Sequence, residues 1–275
     1  MIELPEANVL SRQIDETLKG KTIKRAVAGA FPHAFAWYTG DPATYGAMLD
    51  GKKVTGAGDA SGSGKSCGGN VRVRCENMEL VISTPIKYHA PGEKLPKKHQ
   101  LLLEFADGSH MSCTVQMWGA MFCVPHDPSK ESLAPLPCPL ADGFDRAYFD
   151  GLLSASKADL SAKAFLATEQ RIPGLGNGVL HDILFNARIH PKRKLCTLEG
   201  REIKILFESV KETLKRMTDE GGRDTEKDLF GNKGGYATIL SNNTLGLPCR
   251  VCGGALKREA YLGGNIYFCP ACQPV

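Results

Sequence analysis

Two Cys-x-x-Cys pairs near the C-terminus, Cys249/Cys252 and Cys269/Cys272, constrain this chain more than any other feature. Each pair can present two thiolates to one ion from a tight turn. The spacer Gly253 to Phe268 is long enough for one β-hairpin, so a tetrahedral four-sulfur zinc site closes without strain. A module this small buries too little apolar surface to fold alone, and the metal supplies the missing stability. One structural Zn2+ per chain is therefore expected. Arg250, Lys257 and Arg258 face only Glu259 in this stretch, a balance suited to phosphate groups. A redox role for Cys-x-x-Cys would need a βαβ setting, which neither pair has.

The chain holds ten cysteines, and Cys67, Cys75, Cys113, Cys123, Cys138 and Cys196 lack ligand spacing. Disulfides do not persist in a reducing compartment, so these six are expected to be small buried hydrophobes. The start MIELPEANVL is acidic and contains proline, unlike a signal peptide, and no apolar run approaches the roughly 20 residues of a membrane span. A cytoplasmic setting is expected, beside the nucleoid if the source is prokaryotic. The net charge of +4 permits a polyanionic partner without demanding one.

Residues Pro5 to Leu18 place Val9, Leu10, Ile14 and Leu18 on one helical face, with Gly20 to stop the helix. From Thr22 to about Phe122 the pattern turns to short β-rich runs: Thr22–Ala28, Val71–Cys75, Leu80–Thr84, His99–Phe105 and Met111–Val115. Together they predict a largely antiparallel sandwich. Gly56 to Asn70, rich in Gly, Ser and Ala, reads as a mobile loop, and the prolines from Pro125 to Pro139 as an interdomain linker. Helical periodicity follows over Asp145–Ser156, Leu160–Thr168, Val179–Ala187 and Leu198–Thr218.

Between two of these helices lies Arg171-Ile172-Pro173-Gly174-Leu175-Gly176-Asn177. Glycines let a backbone approach a phosphate, a helix N-terminus offers unpaired N–H groups, and Asn177 adds a side-chain donor. Alone, such a turn is more simply an ordinary interhelical connection. The basic run Arg188, His190, Lys192, Arg193 and Lys194 just after it favours the phosphate reading.

Three pieces in fixed order, IELPE (Ile2 to Glu6), IPGLGNGVLHDILFNARIHP (Ile172 to Pro191) and a terminal CxxC-x16-CxxC within YFCPACQ, closely resemble the formamidopyrimidine-DNA glycosylase/endonuclease VIII family. The resemblance implies an α+β chain: an N-terminal β-sandwich with an opening helix over residues 1–124, a linker over 125–144, a helix-two-turn-helix domain over 145–244 and a zinc finger over 245–275. It implies a monomer that binds damaged double-stranded DNA in a cleft between domains, with no membrane partner.

The chemistry the resemblance implies is base excision. In the family, an N-terminal proline amine attacks the sugar C1′ while a neighbouring glutamate moves protons. Glu3 matches that glutamate, and Glu6 matches a second acid that equally suits a helix N-terminus. Ile2 occupies the proline position, so Met1 or Ile2 would carry the amine, and the lyase step is in question. Lys65 is the first candidate for the family's catalytic-domain lysine and Lys53 the second. Asn177 with Gly176 matches the phosphate-binding turn, and Lys163 a lysine before it. Ile86 stands where a void-filling methionine is usual, while Gln116, Met117 and Trp118 replace an arginine/phenylalanine group; core packing is the alternative for each. The finger's arginine is replaced by Gly264. An altered glycosylase, hydrolytic only, is one expectation. A damaged- or abasic-DNA-binding protein without catalysis is the other, and an RNA-directed zinc ribbon is a third, for which no aromatic stacking motif is evident.

Overall fold

The computed structural model describes residues 2–58, 68–127, 137–169 and 171–275. Its chain divides into two compact units, Met1–Ala134 with Glu226–Gly234, and Pro135–Thr225 with Gly235–Val275.

The first unit opens with α1 (Leu4–Leu18), whose apolar stripe Leu10, Ile14 and Leu18 is almost wholly buried. Glu6 accepts from the Glu3 N–H at 3.3 Å, one half of a reciprocal cap that satisfies donors the first helical turn leaves open. Gly20, at φ 87°, turns the chain out of the helix in the left-handed region that glycine tolerates.

Among the described residues, nine strands follow. β1 (Ile23–Ala28), β7 (Leu101–Phe105), β8 (His110–Cys113) and β6 (Ile86–His89) form, in that order, an antiparallel four-stranded sheet. The second sheet runs β2 (Ala36–Tyr38), β9 (Gly119–Pro125), β5 (Met78–Ile82), β4 (Val71–Cys75), β3 (Val54–Ala57), antiparallel except for β2 beside β9. A short helix, α2 (Tyr45–Leu49), precedes β3. Period-2 burial in β4 and β7 turns Val71, Val73, Leu101, Leu103 and Phe105 inward, where they share one core with α1. This is the expected sandwich. β2, β3, β6, β9 and α2 were not separable from sequence, because such short runs carry little periodicity. Gly56 and Ala57 belong to β3 rather than to the glycine-rich loop, while 59–67 of that loop and 128–136 of the linker lie outside the described residues.

Residues Glu226–Gly234 belong to this first unit although they follow the helices in sequence. Gln13 of α1 holds them, donating to Asp228 at 3.1 Å and accepting from the Leu229 N–H at 2.9 Å. The Leu229 carbonyl accepts from Tyr88 N–H, and its side chain is fully buried in the sandwich core.

The second unit contains α3 (Arg146–Ser154), α4 (Ala162–Ala167), α5 (Asn177–Asn186) and α6 (Gly200–Asp219), then a hairpin of β10 (Lys257–Tyr261) and β11 (Gly264–Phe268). Asp145 caps α3 by accepting from Tyr148 N–H at 2.8 Å, and Ser161 caps α4 from Ala164 N–H. Phe144, Phe149, Phe165 and Phe207 pack ring on ring between these helices. Of the six cysteines without ligand spacing, Cys75, Cys113, Cys123 and Cys138 are buried as expected, and Cys67 lies outside the described residues. Cys196 is exposed, contrary to expectation, because it sits in a one-turn helix, Leu195–Thr197, whose Leu195 faces inward instead.

Candidate metal centre and nucleic-acid interface

The Sγ atoms of Cys249, Cys252, Cys269 and Cys272 all lie within 4.8 Å of one another. Cys249 and Cys272 are 3.8 Å apart, and Cys252 and Cys269 3.4 Å. Zn–S bonds of about 2.3 Å in a tetrahedron place sulfurs about 3.8 Å apart, so the four thiols fit one zinc ion. Gly254 N–H donates to the Cys252 sulfur at 3.4 Å. Fully buried Gln273 donates to the Ile189 carbonyl at 2.9 Å and accepts from Cys269 N–H, tying the knuckle to the end of α5. Cys249 and Cys269 also pack with Phe185 and Leu240, so the metal knuckle and the helical unit share apolar surface.

Asn177 is the first residue of α5, after Gly176, which carries no side-chain cap, and Gly174 at φ 69°. Its Nδ2 donates to the Asn265 carbonyl at 3.1 Å, and its Oδ1 has no partner among the described residues. Lys163, only 3% exposed, reaches from α4 to the Tyr261 carbonyl at 2.6 Å. Burial holds its pKa below the ordinary lysine value. A Cβ at Gly264 would stand 3.6 Å from the Lys163 ammonium and 3.8 Å from Asn177 Nδ2. The three positions, spread over 101 residues of the chain, therefore meet at the finger hairpin, and two nitrogen donors adjoin the space the glycine leaves.

One turn further along α5, His181 is buried and edge-on to Tyr267 at 5.1 Å. Burial first, and then the Lys163 charge, pushes its pKa down to about 3. Its neighbour Asp182 accepts from Ile239 and Leu240 N–H at 2.9 and 2.8 Å, yet burial outweighs these bonds and pushes its pKa up to about 6. The i, i+4 spacing from Asn177 is the only sequence signal that could have singled out His181.

The basic run after the turn is less cationic than its sequence suggests. Lys192 pairs with Glu259, and Arg193 binds Glu202 at 2.8 Å. His190 is buried against Phe268, and that burial lowers its pKa. Arg188 and Lys194 are left exposed with no ion pair among the described residues. Arg250 is spent on the Ala237 and Thr238 carbonyls.

In the first unit, Glu3 and Glu6 are both 4% exposed at the head of α1. Ile2 is in the core, and Met1 and Lys65 lie outside the described residues. Lys53 is exposed, with its N–H bonded to Glu76. Ile86 cannot be a free wedge: it is 4% exposed in β6, opposite Cys113, where the pleat turns it into the core. Met117 and Trp118 stand 77% and 43% exposed on the turn before β9. Sequence reasoning missed Trp37, whose ring lies 5.8 Å from that of Trp118.

Comparisons with known proteins agree with this anatomy. Residues 136–228 match the family model described as the formamidopyrimidine-DNA glycosylase H2TH domain. Formamidopyrimidine-DNA glycosylases of Enterococcus faecalis and Symbiobacterium thermophilum are 26% and 28% identical, covering 99% and 100% of this chain and 97% and 90% of their own lengths. The fold matches the MutM (Fpg) protein from Thermus thermophilus, with TM-score 0.78, 23% identity and 98% coverage of both chains. It also matches the Lactococcus lactis Fpg in complex with abasic-site DNA, with TM-score 0.79, 23% identity, and coverage of 99% of this chain and all of that one. Among the described residues no helix is long and apolar enough to cross a membrane. Residues 136–228 thus match the H2TH domain of formamidopyrimidine-DNA glycosylases, and the whole chain is similar in sequence to proteins of that name.

Proposed function

We propose that this chain is a base-excision DNA glycosylase that binds damaged double-stranded DNA as a monomer and hydrolyses the N-glycosidic bond of a flipped lesion base. The observation that carries this reading is Glu3, retained at the position of the family glutamate and held at the head of α1 by the Glu3–Glu6 cap. As a carboxylate, Glu3 takes a proton from water as the water oxygen bonds to C1′, and the base departs with the glycosidic electron pair. Ile2 at the proline position speaks against an efficient lyase step through a secondary amine.

The remaining roles follow from chemistry. Lys163, Asn177 and the backbone at Gly176 offer donors to a DNA phosphate, and Met117 and Trp118 offer apolar surface to an emptied base stack. Cys249, Cys252, Cys269 and Cys272 would hold one Zn2+, which when bound cross-links the finger and takes no part in the reaction. A binding protein without catalysis is the competing reading, favoured by the loss of both the proline and the finger arginine at Ile2 and Gly264.

The deciding experiment is base release across a panel of oxidised and alkylated duplexes, with Glu3→Gln alongside. Release that disappears in Glu3→Gln while DNA affinity persists supports the hydrolytic enzyme. Release unaffected by the substitution removes Glu3 from catalysis, and no release from any duplex, with affinity intact, supports the binding protein. Borohydride with an abasic duplex is expected to trap little covalent complex.

A further inference from the structure

Asn177 and His181 stand one turn apart on the same face of α5. Both reach one residue of the finger hairpin. Asn177 Nδ2 donates to the Asn265 carbonyl at 3.1 Å, and His181 is hydrogen-bonded to the backbone of the same residue. Burial lowers the His181 pKa and this bond acts against it, as a bond donated by the ring to a carbonyl does. His181 Nε2 has no partner among the described residues, which leaves Nδ1 as the donating nitrogen.

A side chain that only filled space here would have no use for an imidazole. The ring is buried edge-on against Tyr267, and burial, then the Lys163 charge, keep it neutral. It therefore supplies one aimed N–H and no second positive charge beside Lys163. A carbonyl oxygen has two lone pairs, and with His181 on one, Asn177 is confined to the other. That arrangement turns Nδ2, not Oδ1, toward the hairpin and leaves Nδ2 one further N–H. A Cβ at Gly264 would come within 3.8 Å of this nitrogen and 3.6 Å of the Lys163 ammonium. Lys163 in turn donates to the carbonyl of Tyr261, the residue that pairs with Gly264 across the hairpin. The spare N–H and the ammonium thus border the same bare glycine, where one phosphate can accept from both.

We infer that His181 is a positioning residue for the DNA-phosphate site: its Nδ1–H anchors the Asn265 carbonyl, and the anchored carbonyl sets the direction in which Asn177 presents its remaining donor. The inference rests on the phosphate reading of Asn177 above and deepens it by adding a residue that touches neither DNA nor metal. A donor aimed before the DNA arrives loses less rotamer freedom on binding, so the anchor strengthens the contact without making one.

The test exploits the two ring nitrogens, since asparagine carries its amide N–H near the Nδ1 position and glutamine near Nε2. The full zinc-saturated chain is titrated against a fluorescein-labelled duplex carrying a tetrahydrofuran abasic analogue, and binding is read by anisotropy. Asn177→Ala is expected to weaken binding about tenfold, the worth of one well-aimed hydrogen bond, and His181→Gln by a comparable factor. His181→Asn is expected to bind like wild type. The double variant Asn177→Ala/His181→Gln should be no weaker than Asn177→Ala alone, because His181 acts through Asn177. Losses that multiply in the double variant, or that are equal in His181→Asn and His181→Gln, overturn the inference and leave the phosphate reading intact. If thermal unfolding shows that His181→Gln does not fold, His181→Leu takes its place, filling the space without a donor. The same loss is expected of it, and wild-type binding by it overturns the inference. Unchanged binding in Asn177→Ala overturns both the inference and the phosphate reading.

Discussion

The Lys163 ammonium donates to the Tyr261 carbonyl at 2.6 Å and borders the space where a side chain at Gly264 would begin. Gly264 is the position where the resemblance implies an arginine, and a buried cation from α4 stands beside it, next to Asn177.

Lys163→Ala is therefore expected to weaken binding to an abasic duplex about tenfold and to reduce the slope of log affinity against log salt by about one, as one phosphate contact is lost. Gly264→Arg has space for its Cβ, since both neighbours lie at ordinary contact distance. It is expected to restore affinity and slope in the Lys163→Ala background. An unchanged slope in Lys163→Ala would take this lysine out of the phosphate contact.

Metal analysis is expected to find one zinc per chain, and none in Cys269→Ser. Because Cys249 and Cys269 pack with Phe185 and Leu240, chelation should loosen the end of α5 as well as the hairpin. Hydrogen exchange checks this: amides near Phe185 and Gln273 should lose protection on chelation. Protection lost in β10 and β11 alone would show the knuckle to be energetically separate.

His181 and Asp182 should impose opposite pH slopes on stability. Native His181, with its pKa pushed down to about 3, refuses a proton that the unfolded chain accepts, so stability falls as pH drops below about 6.5. Native Asp182, pushed up to about 6, holds a proton that the unfolded chain has lost above about 4, so stability rises as pH drops through that window. Each slope is at most about 1.4 kcal/mol per pH unit, and between pH 4 and 6 they offset. In zinc-saturated buffer, urea midpoints relative to wild type should rise on acidification in His181→Asn and fall in Asp182→Asn. Differences that do not vary with pH would refute the assignment.

Gly119→Ala should destabilise the first unit by roughly 1–3 kcal/mol, the usual cost of overpacking. The added Cβ would lie 2.6 Å from the Thr84 Cβ, too close for either backbone to ignore. Thermal unfolding measures the loss, and a red shift of tryptophan emission would accompany displacement of the Trp118 turn. A wild-type midpoint would mean that β9 and the Thr84 turn separate freely.

Local order was legible in this chain. Ligand spacing announced the cysteine cluster, helical periodicity announced α1, α3, α4, α5 and α6, and short β-rich runs announced β1, β4, β5, β7 and β8, since each depends on neighbours within a few residues. Motif resemblance singled out Glu3 and Asn177 as candidates by position. Tertiary structure decided what those residues face. It cancelled much of the basic run by pairing Lys192 with Glu259 and Arg193 with Glu202, and it turned Ile86 into the core. It also closed Gln13 on Asp228, set Trp37 against Trp118 and brought Lys163 beside Gly264. Such contacts join residues distant in the chain and depend on strand register and helix packing. No local periodicity records them, so sequence determined which elements and ligands exist, and only the fold determined which charges remain free and which rings meet.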